Sequence, residues 1–157
     1  FDDYRQWQEW NRSCFPAPLK QENLQKQKSI WKVTMTDKFR NLVLVVDDNP
    51  VNQKIANLLI RSMGLDTCLA NDGRPAVESY KNNNPALVLM DVMMPELDGF
   101  QTSRLIRQHE FGRGIHTPIV ACTALDEDQI LPDALNCGMD DYLAKPFLPE
   151  ELIARIN

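Results

Sequence analysis

The chain has 157 residues, 43% of them apolar, enough for one globular domain with a sizeable core and a short appendage. No apolar stretch approaches the roughly 20 residues of a bilayer-spanning helix, and the opening Phe1-Asp2-Asp3-Tyr4 is not a secretory leader, so no membrane segment is expected in this chain. The net charge of −5 conceals an asymmetry: residues 1–40 carry eight Lys/Arg against five Asp/Glu, and residues 41–157 carry nine against seventeen, a poor balance for binding nucleic acid.

In residues 1–40, Tyr4, Trp7 and Trp10 fall three apart, as on one face of a short helix, until Phe15-Pro16-Ala17-Pro18 breaks it. A Gln- and Lys-rich stretch follows. This segment reads as an N-terminal extension or an inter-domain linker. A docking helix that masks or dimerises the next domain is the alternative, because three tryptophans are expensive to leave wet. The four cysteines, at 14, 68, 122 and 137, lack metal-ligand spacing and read as reduced, mostly buried thiols.

From residue 41 to 157 strand and helix alternate, the pattern of an α/β domain whose parallel sheet is covered on both faces. A strand over 42–47 precedes a helix from Pro50, suited to a first helical turn, to Met63, where Gly64 stops it. Val51, Ile55, Leu58, Leu59 and Met63 recur at helical spacing and are expected in the core. A strand over 66–70 leads to a helix with Ala76, Val77 and Tyr80 inward, ended by Asn82-Asn83-Asn84-Pro85. After a third strand come a loop to Gly99 and a helix over 100–109, with Leu105 and Ile106 inward. His109 and His116 flank the loose connection Phe111-Gly112-Arg113-Gly114, not a setting for phosphotransfer from histidine. The helix over 126–137 contains Pro132, which removes a backbone hydrogen bond and should make it the least stable helix. A strand over 140–144 and a last helix from Pro149 complete five βα units.

The strand ends carry the chemistry. Leu42-Val43-Leu44-Val45-Val46 runs into Asp47-Asp48, Val88-Leu89-Met90 into Asp91, Ile119-Val120-Ala121-Cys122 into Thr123, and Tyr142-Leu143-Ala144 into Lys145. If the first and third strands are neighbours, three acids meet at one sheet edge. Each pair at about 4 Å would repel by about 4 kcal/mol at an effective dielectric near 20. A positive charge must relieve them, either Lys145 or a divalent cation suited to oxygen ligands, Mg²⁺ first.

Five residues in this order, within Val-Asp-Asp-Asn, Met-Asp-Val-Met-Met-Pro, Cys-Thr-Ala and Ala-Lys-Pro-Phe, resemble the receiver domain of two-component response regulators over roughly 41–157. The flanks Asp48-Asn49-Pro50-Val51-Asn52 and Gly138-Met139-Asp140-Asp141-Tyr142 are most similar to receivers of hybrid histidine kinases. The resemblance implies a flavodoxin-like (βα)5 doubly wound parallel sheet of strand order 2-1-3-4-5, with its crevice at the carboxyl ends of strands 1 and 3. It implies that Asp91 accepts a phosphoryl group from a phosphohistidine, so a histidine kinase or a histidine phosphotransfer protein is the expected partner. Mg²⁺, or Mn²⁺ in its place, would be held by Asp48, Asp91 and the backbone carbonyl of Met93, with Asp47 acting through water. Lys145 and Thr123 would contact the phosphoryl oxygens. Thr123 would then move, letting Tyr142 swing inward and altering the face made by helix 126–137, strand 140–144 and the last helix, which could also form a homodimer.

Met93 and Leu125, two past Asp91 and Thr123, are apolar and cannot align an attacking water, so a long-lived acyl phosphate and at most weak autophosphatase activity are expected. Ala124 leaves the site open to a bulky donor. Two rivals remain, a haloacid dehalogenase-like phosphohydrolase and a pseudo-receiver scaffold. The first wants a second acid at the position of Met93, and the second has no need of an intact acid, hydroxyl and lysine set. The expected location is cytoplasmic, with the cytoplasmic part of a larger membrane-anchored kinase as the alternative setting.

Overall fold

The computed structural model describes residues 41–146 and 148–156, so the expectations placed on residues 1–40 lie outside the described residues. Five parallel strands, β1 (Leu42–Val46), β2 (Asp66–Ala70), β3 (Leu87–Asp91), β4 (Ile119–Thr123) and β5 (Asp141–Ala144), form one sheet in the order β2-β1-β3-β4-β5. This is the expected 2-1-3-4-5 arrangement. β3 and β4 lie inside the sheet and are buried along their whole length, which is why they read as unbroken apolar runs and not as alternating ones.

Helices α1 (Pro50–Ser62), α2 (Gly73–Asn83), α3 (Gly99–Glu110), α4 (Glu127–Asn136) and α5 (Pro149–Ile156) connect and follow the strands. Their starts are written in the sequence. The Asn49 side chain accepts from the Val51 N–H ahead of α1, with Pro50 in the first turn, and Asp98 with Gln101 forms a reciprocal capping box on α3. Asp126 makes no side-chain cap bond, so α4, which also holds Pro132, lacks the end support that α1 and α3 have.

Two apolar layers flank the sheet. Leu44, Val46, Val88 and Met90 pack with Tyr80, Ile106 and Ile130 from α2, α3 and α4. Val43, Val45, Leu87 and Leu89 pack with Ala56 and Ile60 from α1 and Leu152 from α5. Ala76, Val77, Tyr80 and Ile106 are buried as expected, and Leu105 packs partly buried against the same layer. Cys68, Cys122 and Cys137 are free thiols, two of them buried.

The expected core face of α1 needs correction. Val51, Ile55 and Leu58 are 62%, 49% and 60% exposed, and the fully buried positions are Ala56 and Ile60, with Leu59 and Met63 at the margin. The helix carries two apolar stripes, one through 56 and 60 and one through 51, 55 and 58. Spacing reports that both exist but not which one meets the sheet.

At the amino end of the strands lies a buried polar cluster that the sequence did not announce. Arg107 donates to Glu110, Asp140, the Thr117 carbonyl and the Gly138 carbonyl at 2.6–2.8 Å. Glu110 also accepts from the Tyr80 hydroxyl and the Thr117 N–H, and Asp140 from the Ile119 N–H. His116 lies 2.6 Å from Asp140, and His109 stands edge-on to Tyr80 on the last turn of α3. Both buried acids are therefore satisfied, and the cluster ties α2, α3, β4 and β5 together.

The two stripes of α1 separate by mutation. Ile60→Ala is expected to lower unfolding free energy by about 2–5 kcal/mol, and Leu58→Ala by about 0.5 kcal/mol or less, in urea titrations. Equal losses would contradict the assignment of faces.

Candidate functional site

β1 and β3 are adjacent and in register, so their carboxyl ends bring Asp47, Asp48 and Asp91 to one edge. One carboxylate oxygen from each lies within 4.8 Å of the others. The loop after β3 returns tightly across this edge. A Cβ on Gly99 would sit 2.3 Å from the Asp91 carbonyl oxygen, so only glycine fits where α3 begins. Asp47 and Asp91 are buried, each about 5% exposed, and Asp48 is exposed.

Lys145 is the cation among them. Its Nζ lies 2.6 Å from Asp47 Oδ2 and 3.3 Å from Asp91 Oδ1. The Lys145 N–H donates to the Thr123 carbonyl at 2.7 Å, which carries the β4–β5 pairing on to the lysine itself. Burial pushes the Asp91 carboxyl up to about 6. Lys145 opposes this, and the Asp47 charge and an Asp48 hydrogen bond add to it. Burial alone would lower Lys145. The bond to Asp47 and the charges of Asp91 and Asp47 outweigh it, so the ammonium is held above its ordinary range.

Thr123 is buried, and its Oγ1 accepts from the Leu125 N–H at 3.2 Å. Tyr142 is also buried, and its hydroxyl donates to the Leu125 carbonyl at 2.6 Å. The two expected switch residues therefore grip the same main-chain unit from its two sides, with Tyr142 on the inside. Met93 is 65% exposed, and its N–H faces Asp91 Oδ1 at 3.3 Å. All seven positions singled out in the sequence are thus grouped around one sheet edge or the loop beside it.

Three carboxylates offering only oxygen, one of them exposed, are a donor set that fits a hard divalent cation. Beside them a cavity of about 400 Å³ opens between α1 and the ends of β1 and β4, lined by Asp47 and Lys145 and by apolar side chains that include Ile55 and Val45. Cys122 also lines it, but burial pushes that thiol up to about 12, so it stays protonated and unreactive. Two features escaped the sequence: the Leu125 main chain, which leaves no side-chain signal, and Gln53, whose amide reaches the β1 and β2 ends.

The family of the response regulator receiver domain matches residues 43–157. The chain belongs to that family and is a receiver domain of two-component systems. It is 37% identical over 121 residues to the DNA-binding response regulator MtrA of Mycolicibacterium smegmatis, a match covering 77% of this chain and 51% of MtrA. The chain thus spans about half the length of such a relative. Among solved structures it resembles the receiver domain of the sensor histidine kinase PA1611 from Pseudomonas aeruginosa PAO1, which has a magnesium ion in its active site cleft. The identity is 40%, the TM-score 0.67, and 74% of this chain and 94% of that one are covered. It also resembles a co-crystal structure of Saccharomyces cerevisiae Ypd1, a histidine phosphotransfer protein, and the receiver domain of Ssk1, at 32% identity and TM-score 0.69, covering 74% of this chain and 86% of that one. Nothing in these matches favours either rival reading. Among the described residues no helix is long and apolar enough to cross a membrane.

The raised Asp91 gives a pH test. An acid whose folded pKa lies above its unfolded value stabilises fully below the unfolded pKa, and that contribution is lost as pH rises through about 6. In metal-free protein Asp91→Asn is therefore expected to raise the melting temperature at pH 7.5 and to raise it less at pH 5. A gain that does not shrink on acidification would contradict the assignment.

Proposed function

We propose that Asp91 is the phosphoryl acceptor of this receiver and that Lys145, Thr123, Asp47 and Asp48 form its working site. The observation that carries the reading is the ammonium 3.3 Å from Asp91 and 2.6 Å from Asp47, with the three acids' oxygens within 4.8 Å. An Asp91 carboxylate oxygen attacks the phosphorus of a phosphohistidine. A P–O bond forms as the P–N bond breaks, and the electron pair returns to the imidazole nitrogen, which takes up a proton. Asp48, Asp91 and the Met93 carbonyl would hold Mg²⁺, or Mn²⁺ in its place, with Asp47 acting through water. The bound cation supplies charge neutralisation for the incoming phosphoryl oxygens. Lys145 turns its ammonium from the carboxylates to a phosphoryl oxygen, and the Thr123 hydroxyl donates to another.

Movement of Thr123 toward the phosphoryl group releases the Leu125 N–H, and Leu125 is also where the Tyr142 hydroxyl is bound. Phosphorylation is thereby relayed to α4, β5 and α5, a face that would serve for readout or for a homodimer. The donor is a histidine kinase or a histidine phosphotransfer protein. Exposed Val51, Ile55 and Leu58 on α1, whose first turn begins beside the acids, give such a partner an apolar surface to dock on. Residues 41–157 are read as the receiver and residues 1–40 as an extension or linker, in a cytoplasmic setting.

Incubation with acetyl phosphate and Mg²⁺, followed by mass spectrometry, tests the acceptor. One phosphoryl group should map to Asp91, and Asp91→Asn should remove it. Because Met93 and Leu125 offer no side-chain group to orient water, the acyl phosphate should persist for many minutes. Labelling that survives in Asp91→Asn would overturn the reading, and loss within seconds would overturn the predicted lifetime.

A further inference from the structure

Gln53 lies on the second turn of α1 and half-buried, outside every motif that points to the site. Its Nε2 donates to the Asp47 carbonyl at 3.0 Å and to the Ala70 carbonyl at 2.7 Å. Both partners are acceptors only, so the orientation of the amide is determined, and both of its hydrogens are used. The Ala70 carbonyl also accepts from the Asp47 N–H at 3.1 Å. One side chain therefore closes a ring of hydrogen bonds joining α1, the end of β1 and the end of β2.

The carbonyl of Asp47 and the N–H of Asp48 belong to a single rigid peptide plane. The Asp47 side chain has its own anchors, the Asn49 N–H at 2.9 Å and Lys145 at 2.6 Å. Asp48 is exposed, so packing does little to aim its carboxylate; apart from its hydrogen bond with Asp91, the preceding peptide sets the direction in which the side chain leaves the main chain. We infer that Gln53 is a positioning residue for cation binding: by holding the Asp47–Asp48 peptide it directs the Asp48 carboxylate toward Asp91. It touches neither the phosphoryl group nor the cation, and its effect passes through the main chain. The inference rests on the reading of Asp48 as a metal ligand given above.

The test is Mg²⁺ affinity by calorimetry on the full chain, with melting temperature measured in EDTA alongside. Gln53→Met keeps the length and removes both donors. It is expected to weaken Mg²⁺ binding about tenfold, the scale of losing a hydrogen bond that orients a ligand. Asn57→Ala is the control. It cuts a different tie between α1 and β2, the bond from the Thr67 hydroxyl to the Asn57 side chain, and should leave Mg²⁺ affinity within about twofold while lowering stability. If Gln53→Met fails to fold, Gln53→Asn, whose shorter amide cannot reach both carbonyls, takes its place in the same comparison. Unchanged affinity in the Gln53 variant, or equal loss in the Asn57 variant, would overturn the inference. An Asp48→Asn arm separates the two levels: if it leaves Mg²⁺ binding intact, the ligand assignment itself has failed. If it abolishes binding while Gln53→Met does not weaken it, only the positioning role has failed.

Discussion

Three carboxylates at one end of a parallel sheet repel one another, and the half-buried ammonium of Lys145 offsets that repulsion. At about 4 Å and an effective dielectric near 20, each acid pair is unfavourable by about 4 kcal/mol, far more than one surface ion pair returns. Lys145 meets this by reaching two of the acids at once from the end of β5. The compensation is incomplete. Asp91 still sits with its carboxyl raised to about 6, and the exposed Asp48 leaves the edge open to a further positive charge. Three carboxylates against one ammonium leave the site two positive charges short, the deficit that a divalent cation would make up before a phosphoryl group arrives.

The fold serves this arrangement at each level. Strand order β2-β1-β3-β4-β5 puts the two acid-bearing strands side by side, with the hydroxyl on the next strand and the lysine one strand beyond. Gly99 lets the loop after β3 press against Asp91 with no side chain between them. At the far end of the strands, Arg107 and its partners fix α3 to β4 and β5 with buried, fully paired charges, a rigid base beneath the strands that carry Thr123 and Lys145. The Leu125 main chain joins Thr123 to Tyr142, so a change at the acid edge has a short physical route to the outer face of the last two βα units.

Much of this was legible in the residues because the signals were chemical and not merely periodic. A charge closing an apolar run is costly, so Asp47, Asp48, Asp91 and Lys145 declare their positions at strand ends before any coordinates are known. The start of α1 was equally open to reading, since Pro50 suits a first helical turn, while α3 begins at Gly99 on its Asp98 cap, one residue before the expected start. Other features leave no such mark. The α1 stripe through Val51, Ile55 and Leu58 has the same spacing as a core stripe and proves to face outward. Arg107, Glu110 and Asp140 look like ordinary surface charges in the sequence, because a buried network is defined by partners that are distant along the chain. Gln53 and Leu125 act on or through main-chain groups, about which side-chain identity says little.

The central claim is that Lys145 acts as an internal counter-ion to the acids and yields that place once a cation and a phosphoryl group arrive. It is tested most directly by a crystal structure of the protein with Mg²⁺ and beryllofluoride, a stable mimic of the acyl phosphate. The account predicts beryllium bonded to a carboxylate oxygen of Asp91, Mg²⁺ on Asp48, and the Lys145 ammonium moved from Asp47 to a fluoride. Lys145 still seated on Asp47, with the metal bound away from Asp48 and Asp91, would contradict it.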